Sequence, residues 1–156
     1  RAKFEGKTVV LIDVSGSMKD PVSGKSEISR LDAACGVAIV LRELCDDVHV
    51  FIFSNGVRQI PARRGFALRD AVGRAGGGTE LGAAVRAMNG YGYDRLVVIT
   101  DEQSADRVPD PVGTKGYMLN VAVNRNGVGY GKWMHIDGWS EACMDYIRQL
   151  EDAGER

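Results

Sequence analysis

Five oxygen-bearing side chains have the types and spacing to bind a hard cation together. They are Asp13, Ser15, Ser17, Thr79 and Asp101. Carboxylates and hydroxyls are all-oxygen donors, which suit Mg²⁺ (or Mn²⁺, or less closely Ca²⁺) and suit zinc or copper poorly. Because hydroxyls are weak donors and Mg²⁺ retains several waters, such a set leaves a coordination position open. The residues therefore predict a site where a bound metal captures an anionic oxygen of another molecule.

Two predicted strands must position the two carboxylates. Residues 8–12 and 96–99 form short, continuous apolar runs rich in β-branched side chains, which is typical of strands buried on both faces of a parallel sheet. Asp13 and Asp101 follow where these strands end. Two carboxylates at about 4 Å would repel each other by about 4 kcal/mol at an effective dielectric constant near 20. A divalent cation between them would turn this repulsion into attraction.

The rest of the chain alternates between helical and strand patterns. Ser29 and Asp32 form a Ser-x-x-acid helix start, and Asn55-Gly56 indicates a hairpin into an antiparallel edge strand. Thr79 is the predicted N-cap of the helix after the glycine run. Helices are predicted over residues 31–45, 66–75, 81–88 and 140–153, and the other strands over 47–53, 57–60, 117–123 and 133–136. Residues 102–115 and 124–131 read as loops, the second of them mobile.

This alternation predicts an α/β fold with a doubly wound, mostly parallel six-stranded sheet and helices on both faces. In such sheets ligands bind beyond the carboxyl ends of the strands, where the winding direction reverses. The length of 156 residues suits one domain spanning residues 1–156. Because the chain opens at Arg1 without a methionine, we expect it to be a domain excised from a longer protein.

The Asp-x-Ser-x-Ser run, the distant Thr79 in a glycine-rich loop and the later Thr100-Asp101 resemble the metal-ion-dependent adhesion site (MIDAS) of von Willebrand factor A domains. More closely, the chain resembles the C-terminal A-like domain of Ro (TROVE) family RNA-binding proteins. The stretches that carry this resemblance are residues 8–18, 77–79, 97–101 and 134–139. The family implies the strand order 3-2-1-4-5-6. It also implies that the serines and the threonine coordinate the metal directly or nearly so, and that the aspartates often act through water.

The resemblance implies a divalent-cation-dependent, non-enzymatic interaction domain. Its partner would be a protein or other anionic ligand bound through the metal, and this fragment would be a monomer. The Ro family handles non-coding or misfolded RNA through a helical-repeat ring, so RNA binding would belong to the rest of the parent protein. Two alternatives stay open: an intracellular A domain of another family, such as the chelatase type, and a Mg²⁺-dependent phosphohydrolase. One observation argues against the phosphohydrolase: neither Ser15 nor Ser17 has a credible general base in the sequence that would make it a nucleophile.

Composition excludes several other functions. The chain has 20 basic and 21 acidic residues, so no strong net field draws it to nucleic acid or membrane. No apolar run approaches the roughly 20 residues that cross a bilayer, and no signal peptide opens the chain. The three cysteines, Cys35, Cys45 and Cys143, fall in helical patterns without a Cys-x-x-Cys pair. Unpaired thiols predict a reduced, cytoplasmic setting.

Overall fold

The computed structural model describes residues 3–101, 104, 106–122, 131–138 and 141–154. Six strands form one sheet: β1 (Phe4–Asp13), β2 (Cys45–Phe53), β3 (Val57–Ile60), β4 (Arg95–Thr100), β5 (Gly116–Asn120) and β6 (Met134–Asp137). Four α-helices accompany them: α1 (Arg30–Leu44), α2 (Phe66–Val72), α3 (Leu81–Tyr91) and α4 (Glu141–Asp152). A single 3₁₀ turn, Gly16–Lys19, follows β1.

The strand order is β3-β2-β1-β4-β5-β6, and every pairing is parallel except the antiparallel β2–β3 hairpin at one edge. This confirms the predicted α/β class, the strand order and the antiparallel edge strand. Strands β1 and β4 are neighbours in register, with Ile12 opposite Ile99 near their carboxyl ends. The chain leaves β1 towards β2 on one side of the sheet and later returns to β4 on the other side, so the winding reverses between these two strands.

Two apolar layers cover the faces of the sheet. On one face, α1, α2 and α4 pack through residues such as Leu31, Leu68 and Ile147. On the other face, α3 packs through Leu81 and Val85. Strand β4 is buried along its whole length, and β1 is buried from Thr8 to Asp13, which is what their continuous apolar runs predicted. Among the described residues, no helix is both long and apolar enough to cross a membrane.

Several predicted boundaries were wrong. Helix α2 ends at Val72 rather than residue 75, because Gly73 follows with a φ of 79° and stops the helix. Strand β5 ends at Asn120, short of residue 123. Cys45 lies at the start of β2 and not in a helix. All three cysteines are free; Cys35 and Cys45 are buried, and Cys143 is partly exposed. The predicted mobile loop, except for Gly131, and the predicted helix start at Ser140 lie outside the described residues.

Candidate functional site

The two predicted carboxylates lie together at the carboxyl edge of the sheet. Asp13 is the last residue of β1, and Asp101 directly follows β4. Both side chains belong to residues with 0% exposure. Because β1 and β4 are parallel neighbours in register, their ends bring the two aspartates to the same point of the fold. The structure therefore places a pair of buried acidic groups where the winding of the sheet reverses.

Asp13 is held by hydrogen bonds to both of its carboxylate oxygens. The Ser15 backbone N–H donates to Oδ1 over 2.8 Å, and the Thr100 hydroxyl donates to Oδ2 over 2.7 Å. Burial raises the pKa of Asp13 to about 6; these hydrogen bonds oppose the rise, and the charge of Asp101 adds to it. Sequence reasoning assigned no role to Thr100, whose hydroxyl fixes the orientation of this carboxylate.

The loop after β1 brings the two serines close to each other. The hydroxyl oxygens of Ser15 and Ser17 are 3.4 Å apart, within the 3₁₀ turn and its N-cap. The loop is tied to the glycine run by two backbone hydrogen bonds, from Gly16 N–H to the Gly77 carbonyl at 2.9 Å and from Gly76 N–H to the Val14 carbonyl at 2.7 Å. The two segments predicted to share the site are therefore physically joined.

Thr79 lies just beyond this joined segment and is partly buried. Its hydroxyl makes no hydrogen bond to any described residue, which leaves it available to a ligand. It is not the N-cap that the sequence predicted, because Glu80 occupies that position and makes no side-chain cap. The cap comes instead from Asp106, whose carboxylate accepts from the N–H groups of Gly82 at 2.7 Å and Ala83 at 2.9 Å.

An arginine that the sequence analysis did not single out also lies at the site. Arg30, the first residue of α1, places Nη1 3.0 Å from Asp101 Oδ2 and 3.4 Å from the Ser17 carbonyl oxygen. Its backbone N–H donates to the Asp20 carbonyl at 2.8 Å, which closes the loop between the 3₁₀ turn and α1. The only sequence signal was an arginine at a helix start, where positive charge opposes the helix dipole.

The residues fit a hard divalent cation by their donor chemistry. All five candidates offer oxygen, and the two carboxylates are removed from water, which raises the pKa of Asp13. Two carboxylates alone do not fill the shell of a divalent cation, so hydroxyls such as those of Ser15, Ser17 and Thr79 would have to complete the donor set. That requirement favours Mg²⁺ with retained waters over a metal that needs a full protein shell.

A groove of about 500 Å³ lies next to the site. Val14 and Gly76, which belong to the loops described above, line it together with Arg58 and Arg74. The positive charge of Arg58 and Arg74 therefore lies beside the acidic pair and would favour an anion in this groove.

No protein-family model matches this sequence, and no curated protein matches it. Among solved structures, the Ro protein (RSR) of Deinococcus radiodurans is similar in fold, with a TM-score of 0.67 and 17% sequence identity. The two share a fold. The match covers 91% of this chain and 33% of the Ro protein, so this chain spans about a third of that protein's length. At this identity the likeness shows the architecture alone.

Proposed function

We propose that the chain is a divalent-cation-dependent interaction domain of the von Willebrand A type, carried by a Ro-like RNA-binding protein. One observation carries the proposal: parallel neighbouring strands end in two buried aspartates, Asp13 and Asp101, beside a loop that presents Ser15 and Ser17. Thr79 supplies the fifth oxygen from the segment tied to that loop. The fold shared with a Ro protein supports the Ro-like assignment.

In this function the metal binds and does not catalyse. Mg²⁺ or Mn²⁺ supplies a Lewis-acidic position for an anionic oxygen, such as a carboxylate of a partner protein. The chain's own residues hold the cation and exclude water from the two aspartates. Arg58 and Arg74 flank the approach of the anion. RNA handling belongs to the rest of the parent protein, since the chain's balanced charge provides no general attraction for a phosphate backbone.

Thermal melting with and without metal tests the metal site. A cation that binds only the native state stabilises it by about 2.7 kcal/mol at a hundred times its dissociation constant, so the melting temperature should rise with Mg²⁺ or Mn²⁺. Asp13→Ala should abolish this rise, and Asp46→Ala, which removes an exposed acid from β2, should preserve it. No shift at millimolar metal in the unmodified chain would refute the proposal.

A phosphoester assay separates this function from a Mg²⁺-dependent phosphohydrolase, which would use the same carboxylates. We expect no turnover of para-nitrophenyl phosphate with Mg²⁺. Neither serine of the loop has a histidine partner among the described contacts, and the His49 ring instead contacts Asp47 and Tyr91. Turnover that disappears in Asp13→Ala would assign catalysis to the site and overturn the binding-only function.

A further inference from the structure

The candidate site contains a buried cation that belongs to the chain itself. The Arg30 side chain is 9% exposed, and its Nη1 contacts Asp101 Oδ2 at 3.0 Å. As the first residue of α1, it places a positive charge at the positive end of the helix dipole, which disfavours it there. The contacts with Asp101 and with the Ser17 carbonyl oxygen therefore hold the guanidinium at the site.

The Arg30 guanidinium does not use all of its hydrogen-bond donors in this position. Its Nε is buried and has no hydrogen-bond partner among the described residues. A buried donor without a partner costs free energy that it would recover in water. A second acidic group lies near the guanidinium on the solvent side. Asp20 Oδ2 is 3.8 Å from Arg30 Nη1, and the Asp20 side chain is 63% exposed. Arg30 thus has an inner partner, Asp101, and an outer partner, Asp20.

We propose that Arg30 competes with the divalent cation for Asp101. Without metal, the guanidinium balances the charge of Asp101, and when metal binds it shifts towards Asp20 and solvent. The inference rests on the proposed metal site and adds a residue that sets its affinity. With Arg30 in place the two aspartates and the guanidinium carry a net charge of about −1, and metal affinity falls as the negative charge of a site is reduced. The wild-type site should therefore bind Mg²⁺ less tightly than the same site without the Arg30 charge.

Titration calorimetry with Mg²⁺, and separately Mn²⁺, tests this on five forms of the chain, one of which is the Asp13→Ala variant that lacks a proposed ligand. Arg30→Gln removes the charge and should tighten metal binding by about tenfold or more. Arg30→Lys keeps a charge and should remain close to wild type. Arg64→Gln removes an arginine whose pair with Glu43 is exposed, and it should also behave as wild type. Equal or weaker metal binding by Arg30→Gln than by wild type would overturn the competition.

The same titrations separate failure of the inference from failure of the site. If wild type and Arg30→Gln bind equally and Asp13→Ala does not bind, the metal site stands and the competition is wrong. If no form binds metal, the proposed function is wrong and the inference falls with it.

A measurement on the wild-type chain covers the case in which Arg30→Gln does not fold. The Arg30 Nε–H resonance, assigned by through-bond connectivity to its own backbone, should show faster solvent exchange as Mg²⁺ saturates the site. An unchanged resonance while metal binds would show that the guanidinium keeps its place, and the competition would be refuted.

Discussion

At the scale of single residues, the geometry of the site depends on the hydrogen bonds that its buried charged groups make. Asp13 lies in a place where water is excluded, and its two oxygens are met by one backbone N–H and one hydroxyl. A buried acceptor left without its donor costs more than the hydrogen bond itself contributes. Thr100 is therefore a structural support for Asp13, distinct from the oxygens that are candidates to hold a metal.

Replacing Thr100 tests this support. Thr100→Val keeps the shape of the side chain and removes the donor to Asp13 Oδ2. We expect it to lower the free energy of unfolding by about 1–3 kcal/mol, measured by urea denaturation in EDTA. Thr100→Ser keeps the hydroxyl and loses only a methyl group, so it is the matched control. A valine variant as stable as the serine variant would show that the hydroxyl contributes nothing.

The candidate metal ligands could be predicted from the sequence, but the residues that contact and orient them, Thr100 and Arg30, could not. Asp13 and Asp101 follow apolar runs, so their place at the sheet edge follows from strand periodicity and winding. Thr100 and Arg30 act through side-chain contacts to residues 87 and 71 positions away in the chain. Such contacts depend on packing and rotamer, which no local pattern encodes. Metal binding by the five predicted residues stays a prediction.

At the scale of elements, the start of α3 is stabilised from a distant segment. The sequence pattern offered Thr79 as a local cap, yet Asp106 accepts from the first free N–H groups of the helix. Burial would raise the pKa of Asp106, but the hydrogen bonds from Gly82 and Ala83 outweigh it, and the pKa is lowered. The predicted helix start at residue 81 was correct, and the predicted capping residue was wrong because the capping side chain comes from a segment distant in the sequence.

Removing this cap should weaken α3 and leave the sheet intact. We expect Asp106→Ala to lower the free energy of unfolding by about 0.5–2 kcal/mol, the usual cost of losing an N-cap. Hydrogen exchange should increase at Gly82 and Ala83, whose N–H groups lose their acceptor. Asp46→Ala, an exposed acid on β2, is the control and should change neither quantity. Unchanged exchange at Gly82 and Ala83 in Asp106→Ala would contradict the cap.

At the scale of the whole molecule, α4 is joined to the sheet at the edge opposite the candidate site. Glu151 accepts hydrogen bonds from Arg95 of β4 and, at 2.8 Å, from the Tyr117 hydroxyl of β5. The side chains of Arg95 and Glu151 are 3% and 8% exposed. Met144 and Ile147 add buried apolar contacts, whereas Tyr146 is 47% exposed. The last helix is thus held by charge and by packing together.

Breaking this ion pair should destabilise the whole fold in a pH-dependent way. Burial would raise the pKa of Glu151, but hydrogen bonds from Arg95 and Tyr117 and the nearby charge of Lys115 lower it overall. A carboxyl whose pKa is lower in the folded state stabilises the fold above its unfolded pKa and loses that contribution as pH falls through its folded pKa. The contribution of Glu151 should therefore be complete at neutral pH and disappear in acid.

Glu151→Gln, compared with wild type from pH 7 to pH 2 by urea denaturation, measures this contribution. At pH 7 the variant leaves the Arg95 charge buried and unbalanced, which typically costs about 3–5 kcal/mol. As pH falls below the ordinary glutamate value of 4.5, protonation removes the same charge from wild type, and the two stabilities should converge. Glu43→Gln breaks an exposed pair with Arg64 and should cost at most about 1 kcal/mol at any pH. A gap between wild type and Glu151→Gln that stays constant across this range would mean that packing, and not the buried charge pair, holds α4 to the sheet.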